Sequence, residues 1–279
     1  MYKFYFEIME GENIMDVSVI MTVFNGKNTI KKSIDSILKQ TYSNFEFIIV
    51  DDGSTDETRE ILEEYGRVDN RIRVIYKGRI GRSKALNVAL NECKGKYIAN
   101  IDADDEAHPD RLRREYTFLK KNPEIALISS RAKIIFDDEI VNWEKFDNDV
   151  FDSISVSDGL KKSNPISHSS VMFNFKLIPM KENIYNEKLS RVVDYDLWIR
   201  LYNKGYKLSM INEKLVTKRI HSNQSFENKN RIAYLKAVRK VQLDSFSHQL
   251  SISDYLYIQL KFFYGLIPQK LRMLISKKY

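Results

Sequence analysis

Three carboxylates crowd into Asp102-Ala103-Asp104-Asp105, directly behind an apolar run over residues 97–101. Carboxylates packed this closely repel one another unless a cation compensates them. Mg²⁺ and Mn²⁺ take such oxygens together with substrate phosphates and water. The plainer reading is a solvated acidic loop or a helix cap. A calcium-binding EF-hand loop is excluded, because the sixth position from Asp102 is Ala107 and the twelfth is Arg113. A second acidic pair, Asp51-Asp52, follows the apolar run 46–50 and precedes Gly53-Ser54. Carboxylates there can accept hydrogen bonds from a base imide or a ribose hydroxyl, and Gly53 lets a ligand approach the backbone closely. A helix start explains the same residues equally well, since Ser54 and Glu57 have capping-box spacing. The lone cysteine, Cys93, has no histidine at helical spacing and reads as a small apolar residue.

The elements that position these groups follow from hydrophobic periodicity. A strand over 17–23 runs into the polar turn Phe24-Asn25-Gly26-Lys27-Asn28, with Asn28 a candidate cap. Ile30, Ile34, Ile37 and Leu38 then mark one face of a helix. Strand 46–50 is apolar almost throughout, as a strand buried on both faces must be. A helix through Tyr65, a strand over 72–76, a basic loop, a helix over 83–93 and a strand over 97–101 follow. After His108-Pro109 the pattern gives a helix over 110–121 and strands over 125–129 and 133–136. Strand and helix alternating at this spacing mean right-handed crossovers and a mainly parallel sheet flanked by helices, an α/β fold. Ligands of such sheets sit at the carboxyl ends of the strands, so both acidic clusters should line one crevice. The stretch 137–165 is loop-rich, a short apolar run covers 170–173, and a helix spans 195–204. Beyond Asn223 the chain reads as helical and basic to its end.

Composition closes off several function classes. The 279 residues, 43% hydrophobic, suffice for a large core without disulfides. A single cysteine fits a reducing compartment. No apolar run reaches membrane-spanning length, and the N-terminus has no signal-peptide pattern, which points to the cytoplasm. The first strand runs into Phe24-Asn25-Gly26, so the dinucleotide fingerprint is absent, as is the phosphate loop of the NTPases. The net charge of +7 is uneven: beyond residue 228 ten Lys and Arg face only Asp244 and Asp254, giving +8, so residues 1–228 carry −1. A basic tail suggests an acidic partner, an anionic lipid surface or a nucleic acid.

Taken in order, the residues resemble family 2 glycosyltransferases of the GT-A (nucleotide-diphospho-sugar transferase) fold. The matching stretches begin with Val17-Ser-Val-Ile-Met-Thr-Val-Phe-Asn25, Ile48-Ile-Val-Asp-Asp-Gly-Ser-Thr-Asp56 and Ala85-Leu-Asn87. They continue through Gly95-Lys-Tyr-Ile-Ala99 and Asp102-Ala-Asp-Asp105 with Pro109, Arg111 and Leu112. Later come Asn164-Pro165, His168-Ser-Ser-Val-Met172, Asp194-Tyr-Asp-Leu-Trp198-Ile-Arg-Leu201, and Arg219-Ile-His221 with Ser225. Each is weak alone; in this order and spacing, from Asp16 to Ser225, they are specific.

The resemblance implies roles. Asp51 and Asp52 match the uridine contact, and Phe24 and Asn25 part of the base pocket. Asp102 and Asp104 match the Asp-x-Asp motif that meets ribose and a Mn²⁺ or Mg²⁺ ion, Asp104 being the direct ligand and His221 a further one. Asp105 matches a group holding the donor sugar or the other carboxylates, and His168 and Trp198 lie among the donor- and acceptor-side motifs. Asp194 matches the general base, with Asp196 the runner-up, because Val193 stands where the family usually has Glu. Basic residues usual after Met172-Phe173 are replaced by Asn174-Phe175, which leaves the donor diphosphate to the metal or to Arg82 and Lys84. The implied reaction is inverting transfer from a nucleotide-sugar, UDP-linked, to a saccharide or lipid-linked saccharide in surface polysaccharide or lipopolysaccharide synthesis. The implied transferase moves a hexosyl or N-acetylhexosaminyl group.

Two other readings stand beside it. A sugar-phosphate nucleotidyltransferase would need a glycine- and arginine-rich loop near the first strand, and none is present. A basic nucleic-acid-binding protein would leave the acidic clusters unexplained. The expected organisation is an N-terminal extension over 1–14, a catalytic domain over 15–225 and a basic helical region over 226–279. Met15 is a candidate native start. The tail, with aromatic and aliphatic residues between Tyr255 and Leu274 interspersed with Lys261, Lys270 and Arg272, is expected either to lie on an anionic membrane or to pack on the domain.

Overall fold

A computed structural model describes residues 15–136, 139–146, 148, 150–179, 184–220, 231–247 and 249–267. The expectations for residues 1–14, His221, Ser225 and the last twelve residues lie outside them. Strands β1 (Val17–Val23), β2 (Phe45–Asp52), β3 (Ile72–Lys77) and β4 (Tyr97–Asn100) form a parallel block. Every residue of β2 and β4 is buried, which is why their sequences run apolar rather than alternating. Helices α1 (Ile30–Leu38), α2 (Thr58–Val68), α3 (Arg82–Asn91) and α4 (Arg111–Lys121) cover the two faces. One apolar core gathers Ile34, Phe47, Leu62 and Leu112, and the other Ile48, Leu86, Leu127 and Trp198.

The remaining strands are β5 (Ile125–Phe136), β6 (Ser153–Ser155), β7 (Met172–Asn174) and β8 (Lys207–Ile220), with α5 (Val193–Asn203) between the last two. The sheet order is β3-β2-β1-β4-β7-β5-β8-β6. β7 enters antiparallel between β4 and β5, β5 and β8 run parallel, and β6 closes the edge antiparallel. Register fixes the site: Val23 sits opposite Asp51, Asp52 opposite Lys77 and Ile20 opposite Asn100. The chain segments leaving β1, β2, β3 and β4 therefore emerge along one edge.

Several local expectations need correcting. Strands 125–129 and 133–136 are one strand; Ser129-Ser130-Arg131 is not a break but the site of register shifts against β8. β8 itself escapes the periodicity, because it carries exposed Lys214 and Lys218 and also Glu213, which pairs with the buried Arg114. Asn28 does not cap α1, whose N-cap is Thr29 without a side-chain bond; Gly26 O accepts from Ile30 N at 2.9 Å instead. Ser54 and Glu57 do not form a capping box. α2 begins only at Thr58, whose backbone N donates to Asp56 Oδ1 at 3.1 Å, and Ser54 turns back toward β1.

The C-terminal part forms two antiparallel-packed helices, α6 (Arg231–Ser245) and α7 (Ile252–Leu266). α6 lies on α5 through Val241, Gln242 and Phe246, all buried, and Asn203 Nδ2 donates to Ser245 O at 2.8 Å. α7 lies on α6 where Gly265 meets Leu235, and Arg231 Nε donates to Gly265 O at 2.7 Å. The helix start at Ser251 and Asp254 is a reciprocal capping box. The outer face of α7 exposes Ile252, Leu256, Leu260 and Phe263. Among the described residues no helix is long and apolar enough to cross a membrane.

Candidate functional site

The segments leaving β1, β2 and β3 close one end of the crevice. Asp52 is buried, and its carboxylate is taken up by the loop after β3. Ile80 N and Gly81 N donate to Oδ1 at 2.7 and 3.0 Å, and Arg79 donates Nη1 to Oδ2. The Arg79 guanidinium also lies 3.6 Å from the centre of the Phe24 ring, which is 42% exposed. Asn25 is held at φ +54, its N donating to Ser54 Oγ at 2.9 Å and its Oδ1 accepting from Thr55 N at 2.8 Å. Asp51 accepts from Ser54 N at 3.0 Å. Gly53 adopts φ +81, and a Cβ there would come within 2.9 Å of Arg79 N, so only glycine admits this loop packing. An aromatic face with a planar cation above it, beside buried acceptors, is suited to a flat heterocycle. Phe24, Asn25, Asp51 and Asp52 are brought together as the resemblance implies. Arg79 was not among the residues singled out; its signal was the basic loop Lys77-Gly-Arg-Ile-Gly-Arg82 directly behind a strand.

At the end of β4, Arg82 Nη2 donates to Asp102 Oδ1 at 2.7 Å, and His168 Nδ1 stands 3.1 Å from the same oxygen. Burial alone would raise the Asp102 carboxyl, but the charges of Arg82 and His168 overrule it and hold it well below the usual carboxylate range. Arg82 is raised in turn, by Asp102 first and also by Asp194 and Asp104. His168 is buried; its Nδ1 lies 2.9 Å from Asn100 Nδ2 and its Nε2 2.8 Å from the Tyr185 hydroxyl. It stands beside Asp102, buried against Asn100 and Tyr185. Asp105 is buried beneath the turn, accepting from Ser169 Oγ and from Arg219 N at 3.0 Å. Burial, and after it the charges of Asp104 and Asp102, push its carboxyl well above the usual range. Lys84 is exposed on the first turn of α3.

This turn fits a divalent ion. It brings the carboxylates of Asp102, Asp104 and Asp105 together in four residues, and hard carboxylate oxygens suit Mg²⁺ or Mn²⁺. Among the described residues no three His, Cys, Asp or Glu side chains converge as a complete ligand set. The protein would supply Asp104 and Asp102, and a donor diphosphate the rest.

On the facing side, Asp194 lies in the first turn of α5, where Asn164 Nδ2 donates to its Oδ2 at 2.8 Å. Asp196 is buried and paired with Arg200 Nε at 2.8 Å. Trp198, expected on the donor and acceptor side, is fully buried; its ring packs on Phe173 and on the rear of His168, with centroids 5.7 and 6.1 Å apart. Its place, about one helical turn beyond Asp194, follows from core packing, because Leu197, Trp198 and Leu201 are buried. Cys93 behaves as expected of an inert residue: burial pushes the thiol up to about 12, and it donates to Ala89 O.

Against the end of β4 lies a buried ion pair. Arg111 Nε donates to Glu115 Oε1 at 3.0 Å, while its Nη2 donates to Asn100 O at 2.9 Å and Val171 O at 3.1 Å. One guanidinium thereby ties the end of β4 to the segment carrying His168. Burial pushes the Glu115 carboxyl up to about 7 against the opposing pull of Arg111.

Residues 18–180 match the model of glycosyl transferase family 2. An uncharacterised glycosyltransferase of Methanocaldococcus jannaschii is 34% identical over 262 residues, covering 90% of this chain and 86% of that protein. The O-antigen biosynthesis glycosyltransferase WbnJ of Escherichia coli is 32% identical over 245 residues, 86% of this chain and 92% of its own. Among solved structures, S. aureus TarS 1-349 in complex with UDP-GlcNAc superposes with a TM-score of 0.63 at 19% identity, covering 90% of this chain and 72% of that one. The mannosyltransferase PcManGT from Pyrobaculum calidifontis, in complex with GDP-Man and Mn²⁺, gives 0.61 at 17% identity over 88% and 73%. These likenesses are of fold, the GT-A arrangement.

Proposed function

Because this chain belongs to glycosyl transferase family 2, we propose that it transfers a sugar, with inversion, from a UDP-sugar to a hydroxyl of a saccharide or lipid-linked saccharide acceptor. The observation that carries this is the meeting of two carboxylate groups across one crevice, Asp102 with Asp104 in the turn after β4 and Asp194 on α5. Uridine docks against the exposed face of the stacked Phe24–Arg79 pair, beside Asp51 and Asp52. The divalent ion, when bound, neutralises the departing diphosphate. Arg82 stands beside Asp102, where it can meet the same phosphates, with the exposed Lys84 two residues further along the same helix. Asp194 takes the proton of the attacking hydroxyl on the face opposite the leaving group. Asp196 is the weaker base, since its carboxylate is occupied by Arg200.

Exopolysaccharide or O-antigen assembly is the natural setting, supported by the name of the Escherichia coli relative. The exposed apolar face of α7, flanked by Lys162 and Lys261, supports peripheral attachment to an anionic inner membrane face. The test is a panel of UDP-sugars with hexosyl and N-acetylhexosaminyl groups, scored by thermal shift with Mn²⁺ and by UDP release. A shift with UDP and Mn²⁺ together, lost in chelator, is expected; a fold indifferent to every member of the panel would remove the donor assignment.

A further inference from the structure

Three successive carbonyls just before Asn164 are each held by a different helix. Tyr195 of α5 donates its hydroxyl to Leu160 O. The buried Gln242 of α6 donates Nε2 to Lys161 O at 3.0 Å. Lys261 of α7 donates Nζ to Lys162 O, also at 3.0 Å. Ser163 N closes the turn onto Gly159 O at 2.9 Å. Connecting segments ordinarily run free over a surface; this one is fastened residue by residue to three helices. Asn164 comes next. Its Oδ1 accepts from Ile166 N at 3.2 Å, which sets the amide so that Nδ2 points to Asp194. Two residues before Asp194, Val192 adopts φ +50, a left-handed conformation that a β-branched side chain resists. Strain of that kind persists only where the surroundings impose it.

We infer that Asn164 is a positioning residue for Asp194 and that the 160–164 turn couples the orientation of this carboxylate to the C-terminal helices α6 and α7. The inference rests on the reading of Asp194 as base. It gives the helical pair a part in acceptor activation besides any contact with a membrane. Arg82 of α3, Tyr185 and Tyr234 of α6 also act electrostatically on or beside Asp194, so the amide is one of several groups fixing its behaviour.

The test follows the Asp194 carboxyl carbon by NMR in the full chain labelled at aspartate, its resonance identified by loss in Asp194→Asn. Replacing Asn164 by Ala removes a donor to the charged carboxylate, so its titration midpoint should rise by roughly half a unit or more. Asn164→Asp should raise it further by placing a second carboxylate alongside. Lys261→Ala, which removes the exposed α7 contact to Lys162 O, should move it the same way by less. The affinity for UDP with Mn²⁺ should stay unchanged in Asn164→Ala. An unmoved midpoint in Asn164→Ala overturns the positioning role, and an unmoved midpoint in Lys261→Ala overturns the coupling to α7. Normal UDP release by Asp194→Asn would instead defeat the base assignment while leaving the titration result intact.

Discussion

At the scale of single residues, the site is built by pairing groups whose charges would be costly alone. Asp52 is the clearest case, buried yet supplied with two backbone donors and Arg79. Arg79→Ala should weaken UDP binding by roughly 3- to 30-fold, the range expected for losing a cation over an aromatic face. Calorimetry with Mn²⁺ present measures it, and an unchanged Kd would take Arg79 out of the base pocket. Asp104→Ala should abolish metal-dependent UDP binding while leaving the unfolding midpoint in place; full activity in that variant, or activity undiminished by chelator, counts against the metal site. Asp194→Asn should stop transfer yet still bind UDP with Mn²⁺. Asp196→Asn should chiefly loosen Arg200, and if it alone were inactive the two roles would be exchanged. Most of these residues were legible in the sequence because acidic side chains behind strands declare themselves. Arg79 was not, and Asn164 stood out only as part of Asn164-Pro165 with no role, since their work depends on a fold that carries them to distant carboxylates. Trp198 misled for the opposite reason: a residue embedded in a motif reads as site even when its neighbours make it core.

At the scale of elements, the ends of β4 and of the 168–170 turn are aligned by one buried pair, Arg111 and Glu115. Glu115 has a folded-state carboxyl raised to about 7 from an ordinary 4.5. A raised value means that its contribution to stability is full below about 4.5 and is lost as pH rises through about 7. Glu115→Gln stays neutral throughout, so relative to the parent it should gain stability between pH 5 and pH 8, by at most ~3 kcal/mol. Urea midpoints at the two pH values measure this; equal differences at both would show that Glu115 does not titrate in that window. The parallel block was readable because its strands are buried on both faces and follow one another at crossover spacing. β8 was hidden by its charged outer face, and β6 is too short to show a period. Gly95 illustrates how little local sequence says about packing. A Cβ there would lie 2.6 Å from Ser18 N, so Gly95→Ala should cost ~1–3 kcal/mol by forcing β1 and β4 apart, again measured by urea unfolding.

At the scale of the molecule, the donor end is made by β1 to β4, whereas Asp194 and its supports come from the later half. The C-terminal helices join that second group by burying Val241, Gln242 and Phe246. Removing them to test membrane contact would bare the core around α5. The surface is better tested by changing its outer face in the full chain. Leu260→Glu with Phe263→Glu should abolish co-sedimentation with anionic vesicles at low salt, while the parent chain sediments with anionic but not neutral vesicles. Failure of the parent to sediment would leave α7 without a membrane role. The sheet order has a further consequence, for the time course of synthesis. β3, β2, β1 and β4 are complete once Asn100 has left the ribosome, but the outer edge of β4 is paired by Met172–Asn174. At roughly 5–20 residues per second, several seconds separate the two. Throughout that interval the nascent chain carries an unpaired strand edge beside apolar residues, a template for joining its neighbours on the same message. On crowded polysomes that edge can pair with a neighbouring nascent chain, and a chaperone that shields one strand edge would protect it.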